Sequence, residues 1–451
     1  MKPYPEYKPT ELPWLPQIPK DWEIVRNKNV LIEKKRVVGK QSSKYTLLSL
    51  TLSGIIPRDM ENCKGKFPEE FDTYKVVQKG NVIFCLFDID ETPRTVGLSS
   101  YNGMITGAYD VFSITGVNPR FLYYYYLNID NQKALKPYYT GLRKVINVPR
   151  FLELRFPLPT VEEQEQIVRY LDSMTAKINK LIRAKRQQIA LLQEQKQAII
   201  NQAVTKGLNP DAEMKDSGIG WLGTIPGHWE ICRCKYLFRE VNVRSETGEE
   251  EHLSMSQKLG LIPDSQLDGR HLMSESYIGG KICQKDDLVL NRLKAHLGVF
   301  ALASQRGVVS PDYTVLHISS QKILPRFAKE LLTSASCRAE LRVRVRGIVE
   351  GFWRLYTEDF YDIALPLPDI DEQRKILHFI DEATEKLERC TVSYMDDIRK
   401  LDEYKNSLVS SVVTGQIDVR NIHADDFDLA DLVPEMDDDD DDESFTEESE
   451  E

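Results

Sequence analysis

Apolar residues follow two rhythms along this chain, and the change from one to the other marks its organisation. From Glu23, and again from Glu230, short apolar runs alternate with Gly, Asn, Asp and Pro clusters, the pattern of strands joined by loops. From Ile167, and again from Ile376, apolar positions step by threes and fours, the spacing of one helix face. In the second such stretch Ile380, Ala383, Leu387, Cys390, Tyr394, Leu401, Tyr404 and Leu408 form a coiled-coil seam in which only Asp397 is polar. In the first, Ile167, Leu171, Met174, Ile178 and Leu181 fit one register and Ile182, Ile189, Leu192 and Ile199 a neighbouring one, as a stutter would produce. Roughly 45 residues at 1.5 Å each give helices of about 65 to 70 Å, a length suited to a spacer.

Each rhythm occurs twice because the chain is duplicated. Phe156-Pro-Leu-Pro-Thr-Val-Glu-Glu-Gln-Glu-Gln-Ile167 opens the first helix, and Leu365-Pro-Leu-Pro-Asp-Ile-Asp-Glu-Gln-Arg-Lys-Ile376 opens the second, 209 residues later. The prolines bar helix upstream, Thr160 and Asp369 are capping residues, and acidic side chains favour the positive end of the helix dipole. Trp14-Leu-Pro-Gln-Ile-Pro-Lys-Asp-Trp-Glu-Ile-Val-Arg26 is answered by Trp221-Leu-Gly-Thr-Ile-Pro-Gly-His-Trp-Glu-Ile-Cys-Arg233 at a spacing of 207. Gln78 to Phe84 matches Gln284 to Leu290, Gly103 to Phe112 matches Gly307 to Leu316, and Pro119-Arg-Phe121 matches Pro325-Arg-Phe327. A period this long signals a duplicated domain rather than a solenoid. Both helices close on a glycine, at Ala203-Val-Thr-Lys-Gly207 and Val412-Val-Thr-Gly415, where a left-handed cap is expected.

Between these matches the copies diverge. Residues 37–71 and 242–276 share little, as do 88–101 and 292–306. One scaffold with unlike loops predicts two related modules that bind different things. The expected fold class is α+β: two globular mixed α/β domains separated by two long antiparallel coiled-coil helices, in a pseudo-twofold duplicated chain. The expected divisions are 1–156 and 221–365 for the globular domains, 157–207 and 366–415 for the helices, 208–220 for a linker and 416–451 for an acidic disordered tail.

Charge changes the picture only once it is divided along the chain. The net charge of -11 includes sixteen acidic side chains after Arg420, and without them the body stands at +5. A mildly basic body permits a polyanionic partner. The tail composition predicts disorder, with solubility or competition for a basic face as its roles. The seven cysteines are scattered and never form Cys-x-x-Cys, so buried thiols are expected and zinc is not. No apolar run reaches about 18 residues and the opening has no signal-peptide core, so a cytoplasmic protein away from membranes is expected.

Catalytic signatures are missing. Gly218-Ile-Gly220-Trp-Leu-Gly223 has the spelling of a dinucleotide turn, but polar Lys215-Asp-Ser precedes it and Pro226 follows, where a strand and a helix are required. There is no Gly-x-x-x-x-Gly-Lys-[Ser/Thr] phosphate loop, no Pro-Pro pair for an amino-methyltransferase motif, and no metal spacing among the seven histidines. What remains is basic. Arg338, Arg342, Arg344 and Arg346 alternate before Phe352, Trp353 and Arg354; Arg143 and Lys144 are their counterpart; Arg292, Lys294 and His296 lie in one divergent loop and Arg94 in the other. Phosphate neutralisation and guanine readout call for such residues on loops and helix ends, and a solvated basic face is the equal alternative for any one of them. Tyr123 to Tyr126 fall in an apolar helical stretch and are expected in helix packing.

The ordered set Ile18-Pro-Lys-Asp-Trp-Glu23, Pro157-Leu-Pro159 with Glu163-Gln164, Ile225-Pro-Gly-His-Trp-Glu230, and Pro366-Leu-Pro368 with Glu372-Gln373 resembles the specificity (S) subunits of type I restriction-modification systems, over about residues 10 to 420. The resemblance implies a non-catalytic reader of double-stranded DNA with two target-recognition domains, each binding one half of an asymmetric bipartite target. It implies helices that set the gap and dock two modification (M) subunits that methylate adenine N6, with Glu163, Gln164, Ile167, Glu372, Gln373 and Ile376 as docking candidates. Restriction (R) subunits are possible further partners. S-adenosylmethionine, ATP and magnesium would belong to those partners, and this chain would bind no cofactor. The tail beyond His423 has no place in the family pattern. Two other classes stay open at this point: a duplicated coiled-coil adaptor for proteins, and a self-contained restriction enzyme.

Overall fold

Each motif that occurs twice in the sequence becomes the same structural joint twice. The computed structural model describes residues 2–58, 71–140, 144–256, 260–266, 277–347 and 353–432. It divides into two units, residues 1–187 with 394–451, and residues 188–393. The first long helix, Val161–Lys206, gives its first part to unit one and its last turns to unit two, and the second, Ile370–Val413, does the reverse. The helices are therefore not separate domains. Residues 208–220 are not a bare linker either, since Met214–Asp216 pairs with Thr224–Pro226 just as Tyr7–Leu12 pairs with Leu15–Pro19.

In unit one a four-stranded antiparallel sheet runs in the order Leu31–Glu33, Asp110–Ile114, Val82–Phe84, Val96–Leu98. In unit two the equivalent sheet runs Phe238–Val241, Tyr313–Ile318, Leu288–Asn291, Phe300–Leu302. The expected α+β duplication is present. Among the described residues no helix is long and apolar enough to cross a membrane.

The Trp-Glu-Ile and Pro-Leu-Pro motifs are strand partners. Glu23–Arg26 pairs antiparallel with Arg155–Leu158, and Glu230–Arg233 with Ala364–Leu367. Trp22 and Trp229, each 1% exposed, are the largest buried side chains of their units. Against each tryptophan lies a helix end. Gly415 (φ +73°) and Gly207 (φ +75°) are left-handed, and a Cβ on Gly415 would stand 2.3 Å from Pro19 Cδ. Only glycine both turns the chain there and lets the Ile-Pro-x-x-Trp segment approach.

The Glu-Gln motif works inside the same joint. Gln164 is 1% exposed; its Oε1 accepts from the Asn118 amide at 2.8 Å and its Nε2 donates to the Pro159 carbonyl at 2.8 Å. Gln373, fully buried, repeats both bonds with the Leu324 amide at 2.8 Å and the Pro368 carbonyl at 3.0 Å. One side-chain amide thus satisfies the backbone at the start of one helix and before another. Pro119–Asn131 and Pro325–Leu332 begin there with proline in the first turn, as helix starts allow. The arginine of each Pro-Arg-Phe then pairs with the long helix: Arg120 Nη2 lies 2.6 Å from Asp172 Oδ1, and Arg326 Nη1 2.8 Å from Asp381 Oδ2. Tyr124, Tyr125 and Tyr126 are buried in unit one, so the tyrosine run is packing, as expected.

The long helices run antiparallel within each unit. In unit one Lys185 Nζ lies 3.0 Å from Asp397 Oδ2 and 4.2 Å from the Tyr394 ring centroid, and Lys405 reaches Asn179. The one polar seam position is therefore partnered, a device that fixes register. The stutter is visible as Leu181 at 53% exposure beside Ile182 at 6%. Tyr404, expected in the seam, is 47% exposed, because Leu408 and Val409 take the buried positions there. Unit two pairs Lys196 with Glu388 at 2.7 Å and buries Ile200, Val204, Ile376 and Ile380 in one core.

Candidate nucleic-acid interface

The arginine-rich stretch and the divergent loop of unit two, distant in sequence, meet in space. The loop after Leu288–Asn291 is tied to the 353–355 segment by the Leu355 amide donating to the Arg292 carbonyl at 3.2 Å. Arg346 and Arg354 exchange backbone hydrogen bonds of 2.9 and 2.8 Å; residues 348–352 lie outside the described residues. The helix Ala335–Arg344, capped by Ser334, brings Arg342 Nε to the His296 carbonyl at 3.3 Å. His296 stands edge-on to Trp353, ring centroids 5.1 Å apart. Burial and the nearby Arg342 guanidinium hold its imidazole below the ordinary range, so the ring stays neutral among cations. Gly298 (φ +72°) completes the turn, and the Arg338 stem occupies the place a Cβ would need, at 2.6 Å.

These cations divide by partner. Arg292 binds the Asp312 carbonyl at 2.7 Å, Arg344 pairs with Glu340 at 2.6 Å, and Arg346 pairs with Asp359. Lys294, Arg338, Arg342 and Arg354 have no carboxylate partner among the described residues. Cations without a carboxylate partner, with the His296–Trp353 ring pair beside Arg342, are suited to phosphate oxygens and base faces.

Unit one presents the same backbone with other charges. The Ile146 amide donates to the Leu86 carbonyl at 2.8 Å, and Thr140 and Val145 exchange backbone bonds of 3.0 and 3.3 Å. Lys144 is held by Glu91 at 2.8 Å and Asp90 at 3.4 Å, and Lys136 stands 3.6 Å from Asp90. Arg94, its side chain 16% exposed, pairs with the buried Asp130 at 3.2 Å and fastens its loop to the Pro119–Asn131 helix. Arg143 lies outside the described residues.

The six expected docking residues need correction. Gln164, Ile167, Gln373 and Ile376 are at most 1% exposed, enclosed by their own units. Glu163 accepts the Tyr4 hydroxyl at 2.5 Å and is 7% exposed, and Glu372 pairs with His228 at 2.8 Å. The first helical turn is packed against the globular domain, so these side chains fasten the helix rather than form a surface.

A second basic site escaped the sequence reasoning. Residues 34–44 carry Lys34, Lys35, Arg36, Lys40 and Lys44 with no acid, and all but Lys34 are exposed. Its signal in the sequence is a charge run beside a framework strand.

Cys85, Cys234, Cys283 and Cys337 are buried thiols, and burial pushes Cys283 up to about 11 and Cys337 up to about 12. Cys63 lies outside the described residues. Part of the tail is placed: Lys177 pairs with Asp425, Arg183 with Asp431 at 2.8 Å, and Asn179 donates to the Asp431 carbonyl at 3.0 Å. Residues 423–432 thus lie on the first long helix within unit one.

Residues 19–191 match the family model described as type I restriction modification DNA specificity domain. The chain is 24% identical over 294 residues to the type I restriction enzyme MjaVIII specificity subunit of Methanocaldococcus jannaschii, covering 60% of this chain and 64% of that protein. It is 22% identical over 451 residues to the putative MjaX specificity subunit of the same organism, covering 92% and 97% respectively. A solved chain from work on complex assembly and conformational transition of a type I R-M system aligns over 89% of this chain and 99% of its own, with a TM-score of 0.58 and 14% identity. That last likeness concerns the fold.

Proposed function

We propose that this chain, a relative of type I restriction-modification specificity subunits, reads an asymmetric bipartite DNA target on behalf of a methyltransferase. The observation that carries the reading is one buried framework built twice beneath loops that are unlike in sequence and charge. Each unit binds one half-site, and unlike loops make the halves unlike. Unit two contacts DNA through Lys294, Arg342 and Arg354 beside Trp353, with Arg292, Arg344 and Arg346 positioned by their own carboxylate or carbonyl partners. Two adenine-N6 methyltransferase subunits dock on the long helices, and restriction subunits join through them. S-adenosylmethionine, ATP and magnesium act in those partners. Uncovered apolar side chains support docking on the helices: Leu181, Met395 and Tyr404 in unit one, and Leu191, Phe379 and Val392 in unit two, between 43% and 67% exposed.

The test is reconstitution. Co-expressed with an adenine methyltransferase from the same operon, the chain co-purifies with two copies of it, and the complex methylates plasmid DNA at adenine N6. A stable complex that leaves DNA unmethylated and unbound would remove the reading and favour a protein adaptor. The helices as spacer have their own test. Seven residues inserted into the middle of each helix add about 10 Å, or roughly three base pairs, to the gap while both half-sites stay the same.

A further inference from the structure

The two units hold equivalent loops on identical backbone bonds and reverse their charges. The first pair of loops follows the first sheet strand. In unit one the Val76 amide donates to the Arg36 carbonyl at 2.8 Å and the Val38 amide to the Tyr74 carbonyl at 2.9 Å; in unit two Ile282 donates to Val243 at 2.8 Å and Ser245 to Gly280 at 2.9 Å. Bridges Val37 to Lys75 and Arg244 to Lys281 mark the same register. On this shared backbone unit one carries Lys34, Lys35, Arg36, Lys40 and Lys44 and no acid, whereas residues 241–251 of unit two carry Glu246, Glu249, Glu250 and Glu251 against Arg244 alone. Arg36, Lys40 and Lys44 are exposed and have no carboxylate partner among the described residues.

The second pair follows the Val82–Phe84 and Leu288–Asn291 strands, and there the signs are exchanged. Unit one carries Asp88, Asp90 and Glu91 where unit two carries Lys294 and His296. In unit one the nearby lysines, Lys136 and Lys144, are already neutralised by those carboxylates. The Tyr139 hydroxyl and Lys144 together hold the Asp90 carboxyl below its usual range, so it stays charged. The 88–91 loop of unit one therefore offers a phosphate carboxylates and lysines already paired with them, and the 241–251 loop of unit two offers four glutamates against one arginine.

We infer that the two units grip the DNA backbone with different loops: unit one with residues 34–44, and unit two with the 292–296 loop and the neighbouring Arg342 and Arg354. The acidic loop in each unit is then a repulsive element that keeps DNA off the position its twin uses. This rests on the DNA-reading function proposed above. It has a consequence for the target: the register between bound strand and framework differs in the two halves, so exchanging loops between units would not exchange half-sites.

The test is the salt dependence of binding between the full chain and a fluorescein-labelled duplex of random sequence. Each phosphate contact contributes about 0.9 to the slope of log affinity against log salt. Arg36→Gln with Lys40→Gln and Lys44→Gln lowers the slope by roughly two to three, as does Lys294→Gln with Arg342→Gln and Arg354→Gln. The equivalent-position controls, Lys136→Gln with Lys144→Gln in unit one and Arg244→Gln in unit two, change it by less than about 0.5. If the triple substitution in unit one fails to fold by circular dichroism, Lys40→Gln with Lys44→Gln is read instead, with a drop of roughly two. A wild-type chain with no salt-dependent binding would overturn DNA reading itself. Normal wild-type binding with loss at Lys136 and Lys144, or with no loss at either basic loop, would overturn the loop assignment and leave DNA reading standing.

Discussion

Thr140 with Val145 in one unit and Arg346 with Arg354 in the other exchange the same pair of backbone bonds, yet beside the first Lys144 is set against Asp90 and Glu91, while at the second Arg354 has no carboxylate partner among the described residues. Beneath them the two units are equal down to single side-chain amides. The difference teaches where selection for folding ends and selection for binding begins. Buried joints tolerate few residue types, because an unpaired amide or an empty tryptophan pocket is costly. Exposed loops held by backbone bonds alone are indifferent to charge, and so are free to diverge.

The largest test of this equality is the tryptophan pair. Trp22→Ala and Trp229→Ala each cost about 3 to 5 kcal/mol in urea melts, since each empties the pocket under a helix end. A large disparity between them would break the comparison. Next come the glutamines. Gln164→Leu and Gln373→Leu each strand a buried proline carbonyl and a part-buried backbone amide, at about 1 to 3 kcal/mol. If both were neutral in melts, the proposed joint would be wrong. Methyltransferase docking should survive Glu163→Gln, whose Oε1 can still accept the Tyr4 hydroxyl, whereas Leu181→Glu or Val392→Glu should weaken co-purification.

The ion pairs sharpen the comparison because here the units differ. Asp172 is 6% exposed and also accepts the Tyr124 hydroxyl at 2.6 Å; the Asp381 side chain is half exposed. Asp172→Asn therefore costs about 1 to 3 kcal/mol, and Asp381→Asn about 0.2 to 1. The pH dependence follows from Arg326, whose hydrogen bond holds the Asp381 carboxyl below its usual range. A depressed folded value means the contribution is complete above the unfolded pKa and fades as pH falls through the lowered one. Acid melts of wild type and Asp381→Asn should therefore converge at low pH.

Much of the framework was legible because it was written twice. Trp22 and Trp229, the Pro-Leu-Pro strands and the closing glycines could be matched by position, and each became a contact. The roles of Gln164 and Gln373 were not legible, because a polar residue in a first helical turn reads as surface until the domain packed on it is known. The 34–44 run was missed for another reason: charge inversion between equivalent loops appears only once backbone bonds establish which positions are equivalent. Arg94 shows the converse, a loop arginine that spends its charge on a buried aspartate 36 residues away.

The claim on which the rest depends is that two units with one framework read two different half-sites. Its most direct test is a map of N6-methyladenine across native DNA from a methylation-free host expressing this chain with its methyltransferase. The account predicts a two-part motif whose halves differ, separated by a fixed run of unspecified bases. A single continuous motif, or two halves that are the same sequence on opposite strands, would contradict it.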